Sequence, residues 1–211
     1  MLETPAVIRH LYFMSYFKAF QTFVVVAVAG LFLASCETPT RVPAYPEITW
    51  THLAPLTFDA GRIEIVDLYR APLKHPNVEH EFPIVPETSI KRWISDRVRA
   101  AGGPRMVRVT IKNARVVGEP LHVKKGVKGL FYKEQAASYV GELEVMIEVR
   151  TERGFQASVA EAKVKRTRTV PEETSPNDLE QIFFDMTAAM MADLDRTLEA
   201  NVRRYMARDL K

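Results

Sequence analysis

The sequence of 211 residues predicts an α+β fold, a two-layer sandwich in which a four-stranded, mostly antiparallel sheet carries two helices on one face. Three observations lead to this prediction. Strand-like alternation of apolar and polar residues recurs in four segments, a helical pattern separates the first segment from the second, and a longer helical pattern ends the chain. The predicted element order is therefore β-α-β-β-β-α.

The first strand is predicted over Arg62–Tyr69, with Ile63 and Ile65 on one face. The first helix is predicted to begin near Pro86, because proline suits the first turn of a helix. Gly102-Gly103-Pro104 is expected to end it. Its apolar face repeats at helical spacing through Ile90, Trp93, Ile94, Arg97, Val98 and Ala101.

Three further strands are predicted over Met106–Val117, Tyr139–Val149 and Phe155–Val170. The last two are joined by a hairpin turn at Thr151–Gly154. Their outward positions carry acids on the middle strand and bases on its neighbours. We therefore expect ion pairs across strands on a solvated sheet face.

The last helix begins after Ser175, which can cap it, and Pro176 suits its first position. Acidic residues early in the helix and basic residues late suit the helix dipole. Its apolar stripe consists of Leu179, Ile182, Phe183, Met186, Met190, Leu194, Leu198, Val202 and Tyr205.

Residues Phe20–Leu33 form an apolar run that is too short for a comfortable membrane span but has the length of a signal-peptide core. Lys18 precedes the run and supplies positive charge. Met14 makes a compact start for such a signal. The first 13 residues are then a start-site artefact or a long n-region, the part of a signal peptide that precedes its apolar core.

The apolar run ends in Leu33-Ala34-Ser35-Cys36, and Cys36 is the single cysteine of the chain. An aliphatic residue, two small residues and a cysteine resemble a bacterial lipobox. That resemblance implies that Cys36 takes a diacylglyceryl group, that the signal is cleaved before it, and that the new amino terminus is acylated with a chain such as palmitate. By the same resemblance, Glu37 instead of aspartate favours the outer membrane, facing the periplasm.

The resulting organisation is a lipoprotein signal peptide over residues 1–35, a proline-rich tether over 36–61 and one periplasmic domain over 62–211. The tether also holds apolar residues that a spacer does not need. Two interpretations of these residues stay open. In one, Ile48–Phe58 fold back onto the domain, and in the other, Trp50 anchors a protein partner.

A single cysteine excludes an internal disulfide framework and a cysteine zinc cluster. No catalytic or phosphate-binding motif is present, so we expect no enzyme activity and no cofactor. His75 and His80 lie with two glutamates in HPNVEHE. They leave open a metal-dependent hydrolase, although a polar surface loop is the simpler interpretation.

The segment Gly118–Ala137 is predicted to be a long loop, and such loops are often functional. Basic and aromatic side chains suit anionic lipid headgroups, lipopolysaccharide phosphates or an acidic protein surface. An exported protein rarely meets nucleic acid, so we expect no nucleic-acid partner. Alternatively, Leu130 and Phe131 pack on the domain. The candidate contact residues are Lys124, Lys125, Lys128, Leu130, Phe131 and Tyr132.

The lipobox, the tether and the element order together resemble small bacterial envelope lipoproteins, among them the auxiliary lipoproteins of ABC-type lipid transport and the lipopolysaccharide-assembly lipoproteins. The resemblance implies a membrane-anchored, non-enzymatic accessory or assembly subunit of an envelope complex, with an envelope protein as partner. A lipid- or glycolipid-binding module is the alternative. It is favoured by the basic loop and by a Met-rich helix face formed by Met186, Met190 and Met191.

Overall fold

The computed structural model describes residues 44–121 and 135–211, and it has the predicted α+β fold. Two helices and a four-stranded, mostly antiparallel sheet make up its two layers. These residues belong to one compact unit, Pro43–Lys211. In chain order the elements are β1 (Leu56–Phe58), β2 (Arg62–Asp67), α1 (Pro86–Arg97), β3 (Val98–Ala100), β4 (Met106–Pro120), β5 (Gln135–Arg150), β6 (Gln156–Pro171) and α2 (Pro176–Tyr205).

The main sheet has the strand order β2-β4-β5-β6. β2 and β4 are parallel, with Ile63 opposite Val107, and the other two pairings are antiparallel. The parallel pair needs a long crossover, which contains α1. Ile63 packs against the core, but Ile65 on the same face is 49% exposed because β2 is an edge strand.

The prediction that helical structure extends to Ala101 is wrong, because α1 ends at Arg97 and the chain continues as the strand β3. β3 pairs in parallel with β1, with Leu56 opposite Val98. The amide of Ala101 then donates to the carbonyl of Phe58, 2.9 Å away. These backbone partners replace the hydrogen bonds that another helical turn would have made.

A bulge in β4 divides the strand into two halves with different inward positions. The register shifts between Ile111 and Asn113. Before it, Val107, Val109 and Ile111 are fully buried, and after it Ala114 and Val116 are. One extra residue in a strand changes which side chains face the core. Simple alternation along the whole strand therefore misses the second half.

The helix α2 covers β5 and β6 with its apolar stripe, and the Ser175 hydroxyl caps it by accepting from the amide of Asp178. Gly141 lets the helix approach β5 closely, since a Cβ there would lie 2.3 Å from the sulfur of Met190. Within the described residues, no helix combines the length and apolarity needed to cross a bilayer.

The outer face of the sheet carries the ion pairs that alternation predicted. Glu142 of β5 lies between Arg115 of β4 at 2.6 Å and Lys165 of β6 at 3.0 Å. Glu144 lies 2.9 Å from Lys163. These lysines and arginines hold the pKa of both glutamates below the usual value, through the hydrogen bond from Lys165 and then Arg115 for Glu142, and from Lys163 for Glu144.

Candidate functional site

The residues that lead into the folded unit are held against both helices. We call residues 45–50 the strap. The ring of Tyr45 stacks on that of Phe184 in α2, with centroids 5.1 Å apart. Glu47 lies 3.2 Å from Arg92 of α1, and the amide of Trp50 donates to Asp96 at 3.0 Å. The strap therefore fixes where the upstream chain enters the domain.

The proposal that Trp50 anchors a partner is corrected by its position in the hydrophobic core, where the residue is only 5% exposed. Its indole has almost no surface to offer to another protein. The other interpretation, in which Ile48–Phe58 folds back onto the domain, matches the strap and the pairing of β1 with β3. Residues from Tyr45 onward therefore belong to the folded unit and not to a free tether.

The strap begins at the end of the sheet where β4 ends and β5 begins. We call this end of the sheet the hairpin end. Gly118 of β4 lies opposite Tyr139 of β5 there. Tyr139 packs edge-on against Phe183, with ring centroids 4.8 Å apart. Because Phe184 follows Phe183, its partner Tyr45 lies at this level. The strap then runs toward Asp96 and the opposite end, so the upstream chain enters at the hairpin end.

A buried charge network joins the two helices to the segment after the strap. Arg97, 1% exposed, donates to Asp195 at 2.9 Å and also to Glu199 and the carbonyl of Ala54. The indole nitrogen of Trp93 donates to the same oxygen of Asp195 at 2.7 Å. These interactions hold α1, α2 and the segment after the strap together. The sequence carried a signal of this, a charged residue within the apolar stripe of α1.

A second buried carboxylate fastens the loop between β2 and α1 to the sheet. Glu79 is 1% exposed and accepts from the Tyr69 hydroxyl at 2.6 Å and from the amide of Val116 at 3.2 Å. Burial and then the neighbouring Glu79 raise the pKa of Tyr69. The chain just before Glu79 also bonds β4, where the amide of Val78 donates to the carbonyl of Val116. The Glu79 carboxylate therefore has a structural role, because it holds the loop against β4.

The histidines considered as metal ligands lie beside this loop. His75 and His80 approach the same carboxylate oxygen of Glu81, at 3.7 and 3.9 Å. Across residues 44–121 and 135–211, no group of three or more histidine, cysteine, aspartate or glutamate side chains is placed to hold a metal ion. The arrangement is two imidazole rings beside a single carboxylate at the protein surface.

The Met-rich face of α2 lies in the core. Met186 is 4% exposed and Met190 and Met191 are fully buried, and Met186 and Met190 lie next to Gly141 of β5. The expectation that these side chains flex around acyl chains is therefore wrong, because they have almost no exposed surface. The lipid-binding alternative then depends on the basic loop alone.

Several predicted site residues lie outside the described residues. These are the lipidation candidate and the loop candidates, Cys36, Lys124, Lys125, Lys128, Leu130, Phe131 and Tyr132. The ends of that loop are described: the amide of Leu121 donates to the carbonyl of Ala136 at 2.8 Å. β4 and β5 extend beyond their predicted bounds, so the segment between them is shorter than the predicted loop.

The opposite end of the domain is closed by the chain's last residues. The amide of Lys211 donates to the carbonyl of Thr57, and the Lys211 ammonium lies 2.8 Å from Asp59. Lys211 and then Arg105 hold the pKa of Asp59 below its usual value. At this end the β5–β6 turn presents Phe155, which is 68% exposed. Alternation did not single out Phe155 as a contact candidate.

Comparison with known proteins gives fold-level resemblance only. No protein-family model matches the chain, and no curated protein matches it. Among solved structures, it is similar to rare lipoprotein B from Shewanella oneidensis, with 10% identity, a TM-score of 0.33, and coverage of 66% of this chain and 92% of that one.

It is also similar to a minor lipoprotein from Acinetobacter baumannii, with 10% identity, a TM-score of 0.35, and coverage of 70% of this chain and 96% of that one. A lipoprotein from Neisseria meningitidis has 8% identity and a TM-score of 0.23, with 63% and 98% covered. At these scores the likenesses carry no argument about function.

Proposed function

We propose that this chain is a lipoprotein of the bacterial cell envelope that acts as a non-enzymatic accessory or assembly subunit of an envelope complex. The observation that carries the proposal is Leu33-Ala34-Ser35-Cys36, placed directly after an apolar run and just ahead of a folded unit. Tyr45, the first residue of the strap, stands nine positions after Cys36. A lipid on Cys36 would therefore hold a folded domain close to a membrane.

The anchor would be durable if Cys36 carries a diacylglyceryl group and its amino terminus a further acyl chain. Each methylene buried in the bilayer contributes about 0.8 kcal/mol, and two or more chains hold a protein stably where one holds it only marginally. Glu37 after the cysteine favours the outer membrane as the destination. The domain would then lie in the periplasm.

A non-enzymatic role is supported by the hydrogen bonds that the buried polar side chains make within the fold. Arg97, Asp195 and Glu79 each bond to neighbours that hold elements of the fold together. Reactive side chains need geometry and a pKa suited to attack or proton transfer. These three side chains instead have structural partners, so we assign the domain's activity to its surfaces.

The contact with an envelope protein is assigned to exposed aromatic residues. Phe155 is 68% exposed, and aromatic side chains are enriched at the centres of protein interfaces. Phe131 stays a candidate from the sequence, since it lies among lysines that suit an acidic protein surface.

A photo-crosslinking amino acid at Phe155 or at Phe131, in the membrane-anchored protein in its native cells, tests this role. Mass spectrometry identifies the adducts, and Cys36→Ala with the same crosslinker is the control. We expect an envelope protein adduct that the control loses. A lipid adduct at Phe131 alone would favour the lipid-binding module, and recovery of the protein without any protein adduct would reject the accessory role.

A further inference from the structure

The β5–β6 turn carries an exposed aromatic ring on a firmly held backbone. Phe155 is 68% exposed. Its amide donates to the Thr151 hydroxyl at 3.2 Å, and its carbonyl accepts from the amide of Thr151 at 2.9 Å. Arg150 donates twice to the carbonyl of Gly154, at 3.0 and 2.6 Å. Because its backbone is ordered before binding, a partner that covers this ring loses little free energy to ordering the turn.

A cleft beside Phe155 separates the turn from the connection between β3 and β4. Its volume is about 440 Å³, and it is lined by Pro104 and Arg105 on one side and by residues 151–153 and Phe155 on the other. Pro104 and Phe155 give the cleft apolar walls, and Arg105 and Arg153 give it a basic rim. An apolar side chain of a partner can therefore enter the cleft while acidic neighbours reach the arginines.

Positive charge is concentrated at this end of the domain, which we call the turn end and define as residues 59–62, 99–106, 150–158 and 203–211. Met106 lies opposite both Arg62 and Arg150 in the sheet, and the Ser158 hydroxyl donates to Asp209 at 2.5 Å. The turn end holds nine basic side chains and three acidic ones, a net charge of +6, whereas the whole chain carries only +3. Eight of the nine basic residues are arginines.

Five of these arginines are exposed and form no ion pair with a described carboxylate. They are Arg62, Arg99, Arg153, Arg204 and Arg208. The other basic residues of the turn end each have an acidic partner, as Arg105 has in Asp59 at 2.8 Å. Tyr205, which is 58% exposed, lies under the Arg204 guanidinium and adds a second aromatic ring. Guanidinium groups without acidic partners favour an acidic surface and speed its encounter.

The use of arginine favours a protein as the occupant of this surface. A guanidinium group can bind a carboxylate through two parallel hydrogen bonds, and arginine and aromatic residues are enriched at protein interfaces where lysine is depleted. We infer that the turn end docks an acidic segment of an envelope protein, which places an apolar side chain beside Phe155 and carboxylates against the exposed arginines. This inference rests on the proposed accessory role and names the chemistry of the partner.

A photo-crosslinking amino acid at position 152 tests the inference, because Glu152 lines the cleft and its replacement keeps Phe155 and every arginine. The full lipidated protein carries it in native cells, and mass spectrometry identifies the partner and the segment joined. Phe155→Ala and Arg153→Glu are compared in this background with Arg168→Glu as the matched control. Arg168 is also exposed and pairs with no acid in the part of the chain that the structure describes, but it lies opposite Tyr139 at the hairpin end.

We expect an adduct with an envelope protein at a segment rich in aspartate and glutamate. Phe155→Ala and Arg153→Glu should each reduce the adduct by at least about tenfold, as at an interface hot spot, and Arg168→Glu should change it by less than about twofold. All three residues are exposed, so Tm should stay within about 2 °C of the parent and exclude misfolding as the cause.

An adduct with lipid alone, a joined segment without acidic residues, or an adduct that Arg153→Glu leaves unchanged would overturn the inference. A protein adduct from a crosslinker at Phe131 with none from position 152 would overturn docking at the turn end and leave the accessory role standing. Absence of a protein adduct from either position would reject both.

Discussion

Removal of the Asp195 carboxylate tests whether the buried charge network holds the two helices together. Asp195→Ala leaves the indole of Trp93 without its acceptor and takes one carboxylate from Arg97. Removing one partner of a buried ion pair costs about 3–5 kcal/mol. The lower end applies, because Arg97 keeps Glu199 and the carbonyl of Ala54.

Alanine recovers about 0.5 kcal/mol of helix propensity, so we expect a net loss of about 2.5 kcal/mol in the free energy of unfolding. For a domain of this size that loss lowers Tm by about 5–10 °C. Thermal unfolding of the soluble domain, followed by circular dichroism, measures it.

The matched control is Asp193→Ala, two positions earlier on the same helix and with the same gain in propensity. Asp193 pairs with Arg166 and Arg196 on the surface, and exposed pairs contribute about 0–1 kcal/mol. We expect Tm to change by no more than about 4 °C in this variant. If the two variants unfold at the same temperature, the network does not carry the stability assigned to it.

Three other predictions use the same stability measurements. Trp50→Ala should lower the free energy of unfolding by about 3–5 kcal/mol because the indole is buried in the core, whereas Leu68→Ala, at a residue 63% exposed, should change it by no more than about 0.5 kcal/mol. Gly61→Ala should cost about 1–3 kcal/mol because its Cβ would lie 2.4 Å from the carbonyl oxygen of Gly103. Acid should destabilise the domain. The lowered pKa values of Glu142 and Glu144 stabilise the fold above about pH 4.5, the usual pKa of a glutamate, and this stabilisation is lost as pH falls through the lowered values.

The acid prediction has its own control in Glu142→Gln. The variant removes one of the depressed carboxylates, so its urea midpoint should fall less between about pH 5 and pH 3 than that of the parent. Added salt should weaken the effect, because these pairs are partly exposed. An identical fall in both proteins would show that the pairing on the outer sheet face contributes nothing measurable. Likewise, a Trp50→Ala protein as stable as its parent would refute the bound strap.

The large elements could be predicted from the sequence because each repeats one period over many residues. The alternation in β5 and the stripe of α2 each give an unambiguous period. β1 and β3, with three residues each, are too short to establish a period. They exist because long-range pairing completes their backbone hydrogen bonds, and no local pattern records that.

The candidate site residues also differ in how far the sequence alone could identify them. Cys36 could be identified because the lipobox is a contiguous motif. Trp50 was ambiguous, since the residue type suits both a core and an interface, and only its neighbours decide. The network around Arg97 depends on Asp195, 98 positions away. Sequence spacing cannot anticipate a pairing at that distance, although a charged residue in an apolar stripe indicated that some partner was needed.

The most direct test of the central claim is the intact mass of the protein extracted from the membranes of its native cells. We predict a chain that begins at Cys36 and carries a diacylglyceryl group together with an amino-terminal acyl chain, and we predict that Cys36→Ala abolishes both the cleavage and the lipid. A mature chain that includes residues upstream of Cys36, or an unmodified Cys36, would contradict the account.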